Sequence, residues 1–139
     1  MASALIDASA LVAAFVQSEP KNQHYRELLQ LASLEHWSLS TTWPCVTEAC
    51  YLVKPPVRFQ LLNWVGRGGV TVFPFGQESL LELAPIMARY TESPRTEMDL
   101  ADASLYALAT DTGVLRIMTL DVRDFSRYRL PDGRAFEIL

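Results

Sequence analysis

Four short segments each set an acid at the edge of an apolar run. Asp7 follows Ala4-Leu5-Ile6, Glu48 lies in Thr42-Trp43-Pro44-Cys45-Val46-Thr47-Glu48-Ala49, Asp99 and Asp102 lie in Met98-Asp99-Leu100-Ala101-Asp102-Ala103, and Asp121 ends Ile117-Met118-Thr119-Leu120-Asp121. A carboxylate beside a core segment is costly unless something neutralises it. Several spread along a small chain imply one cluster, which at neutral pH needs a bound cation or retained protons. Hard carboxylate oxygens are natural ligands of Mg²⁺ or Mn²⁺. Such an ion binds phosphate oxygens and lowers the pKa of a water, so a carboxylate cage with no other nucleophile points to metal-assisted phosphodiester hydrolysis.

Other chemistries find little support. The two histidines, His24 and His36, lie in or beside an amphipathic segment and read as solvated surface groups. Cys45 and Cys50 sit five apart in an expected helix, so their side chains diverge and they read as packing thiols rather than a disulfide. There is no Cys/His set with zinc spacing and no glycine-rich phosphate cradle. Each acid also has an ordinary explanation when taken alone. Asp7 and Asp99 suit helix N-termini, Glu48 a surface, Asp121 a turn, and Asp124 a cap or a pair with Arg123 or Arg127.

The elements that must position these acids follow from periodicity. With 139 residues, half of them apolar and 20% charged, the chain is expected to form one domain over 1–139 with a packed core. Residues 3–6, 37–42, 70–75 and 115–119 read as strands, and 136–139 as an edge strand. Residues 8–16, 24–34, 44–53, 57–65, 77–90 (with Pro85 inside) and 99–110 read as helices. Strand–helix alternation predicts parallel pairing through right-handed crossovers with helices on both faces. The fold class is therefore a three-layer α/β/α sandwich around a mostly parallel sheet of four to five strands. Ligands in such folds collect at the carboxyl ends of strands, where Asp7 and Asp121 both fall.

The net charge of −4 argues against a non-specific nucleic-acid coat but not against an enzyme acting on nucleic acid. Ten of the twelve basic residues are arginine, and five of these lie between Arg116 and Arg134, a composition suited to phosphate oxygens or to ordinary surface pairs. No apolar stretch is long enough to span a membrane, and the start lacks a basic n-region, so a cytoplasmic location is expected.

The order and spacing of these motifs resemble a PIN-domain ribonuclease of the type found as the toxin in VapBC toxin–antitoxin pairs. The residues carrying the likeness are Leu5-Ile6-Asp7-Ala8-Ser9-Ala10-Leu11, Thr47-Glu48-Ala49, Asp99-Leu100-Ala101-Asp102-Ala103-Ser104-Leu105 and Thr119-Leu120-Asp121-Val122-Arg123-Asp124-Phe125. The resemblance implies that Asp7, Glu48, Asp102 and Asp121 bind metal, with Asp99 as an additional acid one turn before Asp102. It implies that Ser9 and Thr119 support the site by hydrogen bonds, while Arg123 and Arg127 could hold flanking phosphates. The implied activity is a Mg²⁺- or Mn²⁺-dependent endoribonuclease acting on single-stranded or looped RNA. Its implied partners are a second copy in a homodimer and a small antitoxin that places a basic side chain in the acidic groove. Tyr25, Leu28, Trp37 and Trp64 are candidate partner contacts, although core packing explains them equally well. Competing classes are a PIN-like binding module with a degenerate site and a metal-dependent phosphohydrolase with another substrate. A receiver-like phosphoacceptor domain is set aside, because it expects paired acids after the first strand and a late lysine, whereas the only lysines are Lys21 and Lys54.

Overall fold

The computed structural model describes residues 2–139. Among these, five parallel strands form one sheet: β1 (Ser3–Ile6), β2 (Ser38–Thr42), β3 (Thr71–Phe73), β4 (Arg116–Met118) and β5 (Glu137–Ile138), in the order β3-β2-β1-β4-β5. Seven helices complete a three-layer α/β/α sandwich: α1 (Ala8–Phe15), α2 (Asn22–Leu34), α3 (Trp43–Leu52), α4 (Pro55–Gly66), α5 (Leu80–Arg89), α6 (Leu100–Thr112) and α7 (Val122–Arg127). The chain winds outward from β1 through β2 to β3, then returns to lay β4 on the other side of β1. The winding thus reverses between β1 and β4, which makes their carboxyl ends the favoured place for a ligand.

β1 lies at the centre, and Ala4, Leu5 and Ile6 are fully buried. A strand covered on both faces has no polar side to show, hence its continuous apolar run. α6 is enclosed too: every residue from Ala101 to Tyr106 is buried, so Asp102 is carried into the interior by its helix. That helix ends at Gly113, whose φ of 75° is the left-handed conformation glycine adopts freely.

Several boundaries differ from the sequence expectation, for local reasons. α2 starts two residues early because Asn22 is buried, donating Nδ2 to the carbonyls of Ala13 at 2.8 Å and Ala14 at 3.2 Å at the end of α1. α4 begins on Pro55 and Pro56 rather than after them, since first-turn residues need no N–H donor. β3 stops at Phe73, before Pro74, which cannot donate to a ladder. Gln77–Ser79 form a separate 3₁₀ turn ahead of α5, which accommodates Pro85. α7 was not expected, as six residues are too few to show a periodicity. Tyr25 is buried, and Leu28, Trp37 and Trp64 are partly buried against the core, so core packing accounts for all four. Both cysteines are free and both histidines exposed, as expected.

Candidate active site

β1 delivers Asp7 to the sheet edge beside the end of β4, where the backbone N–H of Asp7 donates to the Met118 carbonyl at 3.0 Å. Asp7 caps α1, accepting from the Ala8 N–H at 2.6 Å through Oδ1. Its Oδ2 accepts from the Ser9 hydroxyl at 3.0 Å and the Thr119 hydroxyl at 2.8 Å. Capping and membership of the acid site are therefore one role. Burial raises the Asp7 pKa, while the hydrogen bonds from Thr119, Ser9 and Ala8 pull it back. Thr119 is itself anchored from behind, because the Tyr25 hydroxyl donates to its carbonyl at 2.8 Å. The Thr119 hydroxyl also accepts from the Asp121 N–H at 3.0 Å, so one side chain links the two acids that end neighbouring strands.

Helix caps place four of the other acids. Asp99 is the N-cap of α6, and its Oδ1 accepts from the Asp102 N–H at 2.9 Å. Asp121 is the N-cap of α7, accepting from the Asp124 N–H at 3.4 Å. Both caps hold an acid three residues on, so α6 and α7 each present an acidic first turn. The two turns meet: oxygens of Asp102, Asp121 and Asp124 all lie within 4.8 Å of one another. Asp7 and Glu48 lie outside that triad but share its field. Glu48, half-buried on α3, has its pKa raised by burial and then by the charges of Asp99, Asp7 and Asp121. Burial, Asp99 and Asp7 push Asp102 up to about 8. Burial and Asp124 push Asp121 up to about 6.

Of the five acids singled out from the sequence, Asp99, Asp102 and Asp121 line one depression, Glu48 lines the neighbouring one with Asp99, and Asp7 is joined to Asp121 through the Thr119 hydroxyl. Arg123 is exposed on α7, whereas Arg127 Nη2 pairs with Asp124 at 3.0 Å. Among the described residues the only other ion pair joins Arg134 to Asp132, so Asp7, Glu48, Asp99, Asp102 and Asp121 have no basic partner.

Two contributors escaped the sequence reading. Asp124 was taken for a cap or an arginine partner; it is an arginine partner and also the third corner of the triad. Its place next to an N-cap acid in a first turn was the available signal. Tyr128 carried no signal at all. It is fully buried, and its hydroxyl donates to Asp102 Oδ2 at 2.9 Å. Tyr106 and Tyr90 fix the next residue, the Tyr106 hydroxyl donating to the Arg129 carbonyl at 2.6 Å and the Arg129 N–H donating to the Tyr90 hydroxyl at 3.0 Å. A cation fits this setting: close hard-oxygen donors, pKa values lifted by burial and by like charge, and one ion-paired guanidinium for six carboxylates.

The PIN domain family model matches residues 4–130. The chain belongs to the PIN domain family. No curated protein matches this PIN domain in sequence. Among solved structures, its fold is similar to that of Mycobacterium tuberculosis VapC20, described as a sarcin-ricin loop cleaving toxin. The two superpose with a TM-score of 0.74 at 12% identity, over 87% of this chain and 92% of the other. At that identity the likeness is one of fold.

Proposed function

We propose that this PIN domain is a Mg²⁺- or Mn²⁺-dependent endoribonuclease and the toxin of a type II toxin–antitoxin pair. The observation that carries the reading is the gathering of Asp7, Glu48, Asp99, Asp102, Asp121 and Asp124 at the point where the sheet reverses its winding, with a single arginine, Arg127, ion-paired to any of them. The sarcin-ricin loop cleaving toxin of the same fold supports RNA as the substrate. No helix among the described residues is long and apolar enough to cross a membrane. In this reading residues 1–139 act as one cytoplasmic unit.

Asp7, Glu48, Asp102 and Asp121 would hold the ion, with Asp124 beside the last two and Asp99 next to them. The ion, when bound, supplies positive charge to phosphate oxygens and lowers the pKa of a water for attack on phosphorus. The chain's own work is to hold the ligands still. Ser9 and Thr119 leave Asp7 one orientation, and Tyr128 occupies one oxygen of Asp102 and leaves the other free. Without a cation Asp102 keeps its proton near neutral pH while Asp121 keeps its own only in mild acid, and an entering ion displaces those protons. Arg123, free in solvent, serves flanking phosphates. Arg127 is already engaged by Asp124 and serves them less. A second copy and an antitoxin whose basic side chain enters the acidic groove complete the reading.

The test is cleavage of single-stranded RNA, DNA of the same sequence and a small phosphoester, with Mg²⁺, with Mn²⁺ and with EDTA. The expected result is cutting of RNA that needs the metal and disappears in Asp121→Asn. Cutting that survives EDTA, or DNA cut as readily as RNA, would overturn the assignment.

A further inference from the structure

Two depressions of opposite character meet at the carboxylates. One, of about 480 Å³, is polar and walled by Arg95, Thr96, Asp99, Asp102, Asp121 and Asp124. The other, of about 690 Å³, is walled chiefly by Trp43, Pro44, Tyr51 and Phe75, together with Glu48 and Asp99. Asp99 lines both, so a strand whose phosphate lies at the acids extends into one depression on each side.

The aromatic wall is a consequence of how α3 is written. Its inner face buries Cys45, Val46 and Ala49. Trp43, Thr47 and Tyr51 recur four residues apart and make a different stripe, and Pro44 and Glu48 form the row beside it. That stripe faces outward: Trp43 is 54% and Tyr51 85% exposed. Two large aromatic rings are therefore left in water alongside a metal-binding candidate, although the same helix has a core to bury them in. The wall carries no Lys or Arg, and its only charges are the carboxylates of Glu48 and Asp99. A phosphate would be repelled within this groove, while an uncharged aromatic ring would not.

We infer that the groove is a nucleobase subsite. With the RNA backbone at the carboxylates, the unpaired base on one side of the scissile phosphate stacks on Trp43 between Tyr51 and Phe75. The strand on the other side leaves through the polar depression past Arg95. This rests on the nuclease reading and adds to it a source of selectivity for unpaired nucleotides, since every base has a face to stack while a paired one cannot be presented.

The test uses short single-stranded RNAs, each with one abasic nucleotide at a successive position. Their binding is measured by fluorescence anisotropy to cleavage-deficient Asp121→Asn protein, with and without Trp43→Ala. On intact RNA, Trp43→Ala is expected to weaken binding about tenfold. One abasic position should weaken binding to the Trp43 protein by the same factor, and that RNA should bind both proteins alike. Trp43→Phe should restore most of the loss, and melting temperature should not change, because Trp43 packs little. Losses that simply add at every position, or no loss at all, would overturn the subsite. So would a change in oligomeric mass or in affinity for a protein partner with RNA binding intact, which would make the groove a protein interface. Failure of the nuclease reading shows separately, as absence of metal-dependent cutting by the unaltered protein.

Discussion

Asp7 and Asp102 are both buried acids at the same edge of the sheet, yet their surroundings differ in kind. Asp7 takes three donors, the Ala8 N–H on one oxygen and the Ser9 and Thr119 hydroxyls on the other. Asp102 takes one, from Tyr128, and otherwise faces Asp99, Asp7 and Asp121. The first corner offsets part of the cost of burying its acid with protein hydrogen bonds, and the carboxylate keeps room for one further partner. The second satisfies its acids only if protons or a cation arrive. A site built this way has a rigid half that sets geometry and an electrostatically incomplete half that protons or a cation would complete.

The sharpest way to break the comparison is to neutralise each corner. Asp102→Asn should lower cleavage by at least about 100-fold, the order seen when one electrostatic contact to a transition state is lost. Above about pH 8, where Asp102 is ionised, it should raise the melting temperature of metal-free protein, because an isosteric amide removes a buried, repelled charge. Asp7→Ala should also lose cleavage but destabilise the fold by about 1–3 kcal/mol, since it strips a helix cap and takes the carboxylate acceptor from the buried Thr119 hydroxyl. If Asp102→Asn proves the less stable of the two, the distinction fails.

Second in size is the pH dependence of stability without metal. Asp121 and Asp102 keep protons in the folded chain up to about pH 6 and about pH 8. In the unfolded chain they lose them near pH 4. The folded state thus binds more protons between these values. The stability due to these two groups is full below about pH 4 and lost as pH rises through 6 and then 8. Melting temperature in EDTA should fall by several degrees between pH 5.5 and 8.5, and saturating Mg²⁺ or Mn²⁺ should reverse the fall, because the ion displaces those protons. A flat profile in EDTA would mean that burial and mutual repulsion do not raise these acids as placed.

The smallest effect expected is that of Tyr128→Phe, which keeps the ring and removes one hydroxyl. Affinity for Mn²⁺, read by electron paramagnetic resonance titration, should drop about tenfold, with about 1 kcal/mol lost in stability. Tyr106→Phe, whose hydroxyl holds the Arg129 carbonyl, should leave Mn²⁺ affinity unchanged. Equal Mn²⁺ affinity in both variants and the unaltered protein would reduce Tyr128 to packing.

Much of this was legible in the residues themselves. The apolar runs ending in Asp7 and Asp121 marked two strands with acids at their carboxyl ends, and the parallel sheet followed from strict alternation. Spacing of three put Asp99 and Asp102 on one turn. α7 was illegible because one and a half turns cannot display a 3.6-residue period, and its only sign was the Asp121–Asp124 pair.

The sequence by itself determined which acids stand at element ends, because apolar periodicity and capping chemistry are local and act over a few residues. Tertiary structure alone decided which of them touch. The Thr119–Asp7 and Tyr128–Asp102 bonds join residues 112 and 26 positions apart. They exist because the return crossover lays β4 beside β1 and the first turn of α7 against that of α6. No local pattern encodes that adjacency, since the same strand and helix periods would serve any order of strands in the sheet.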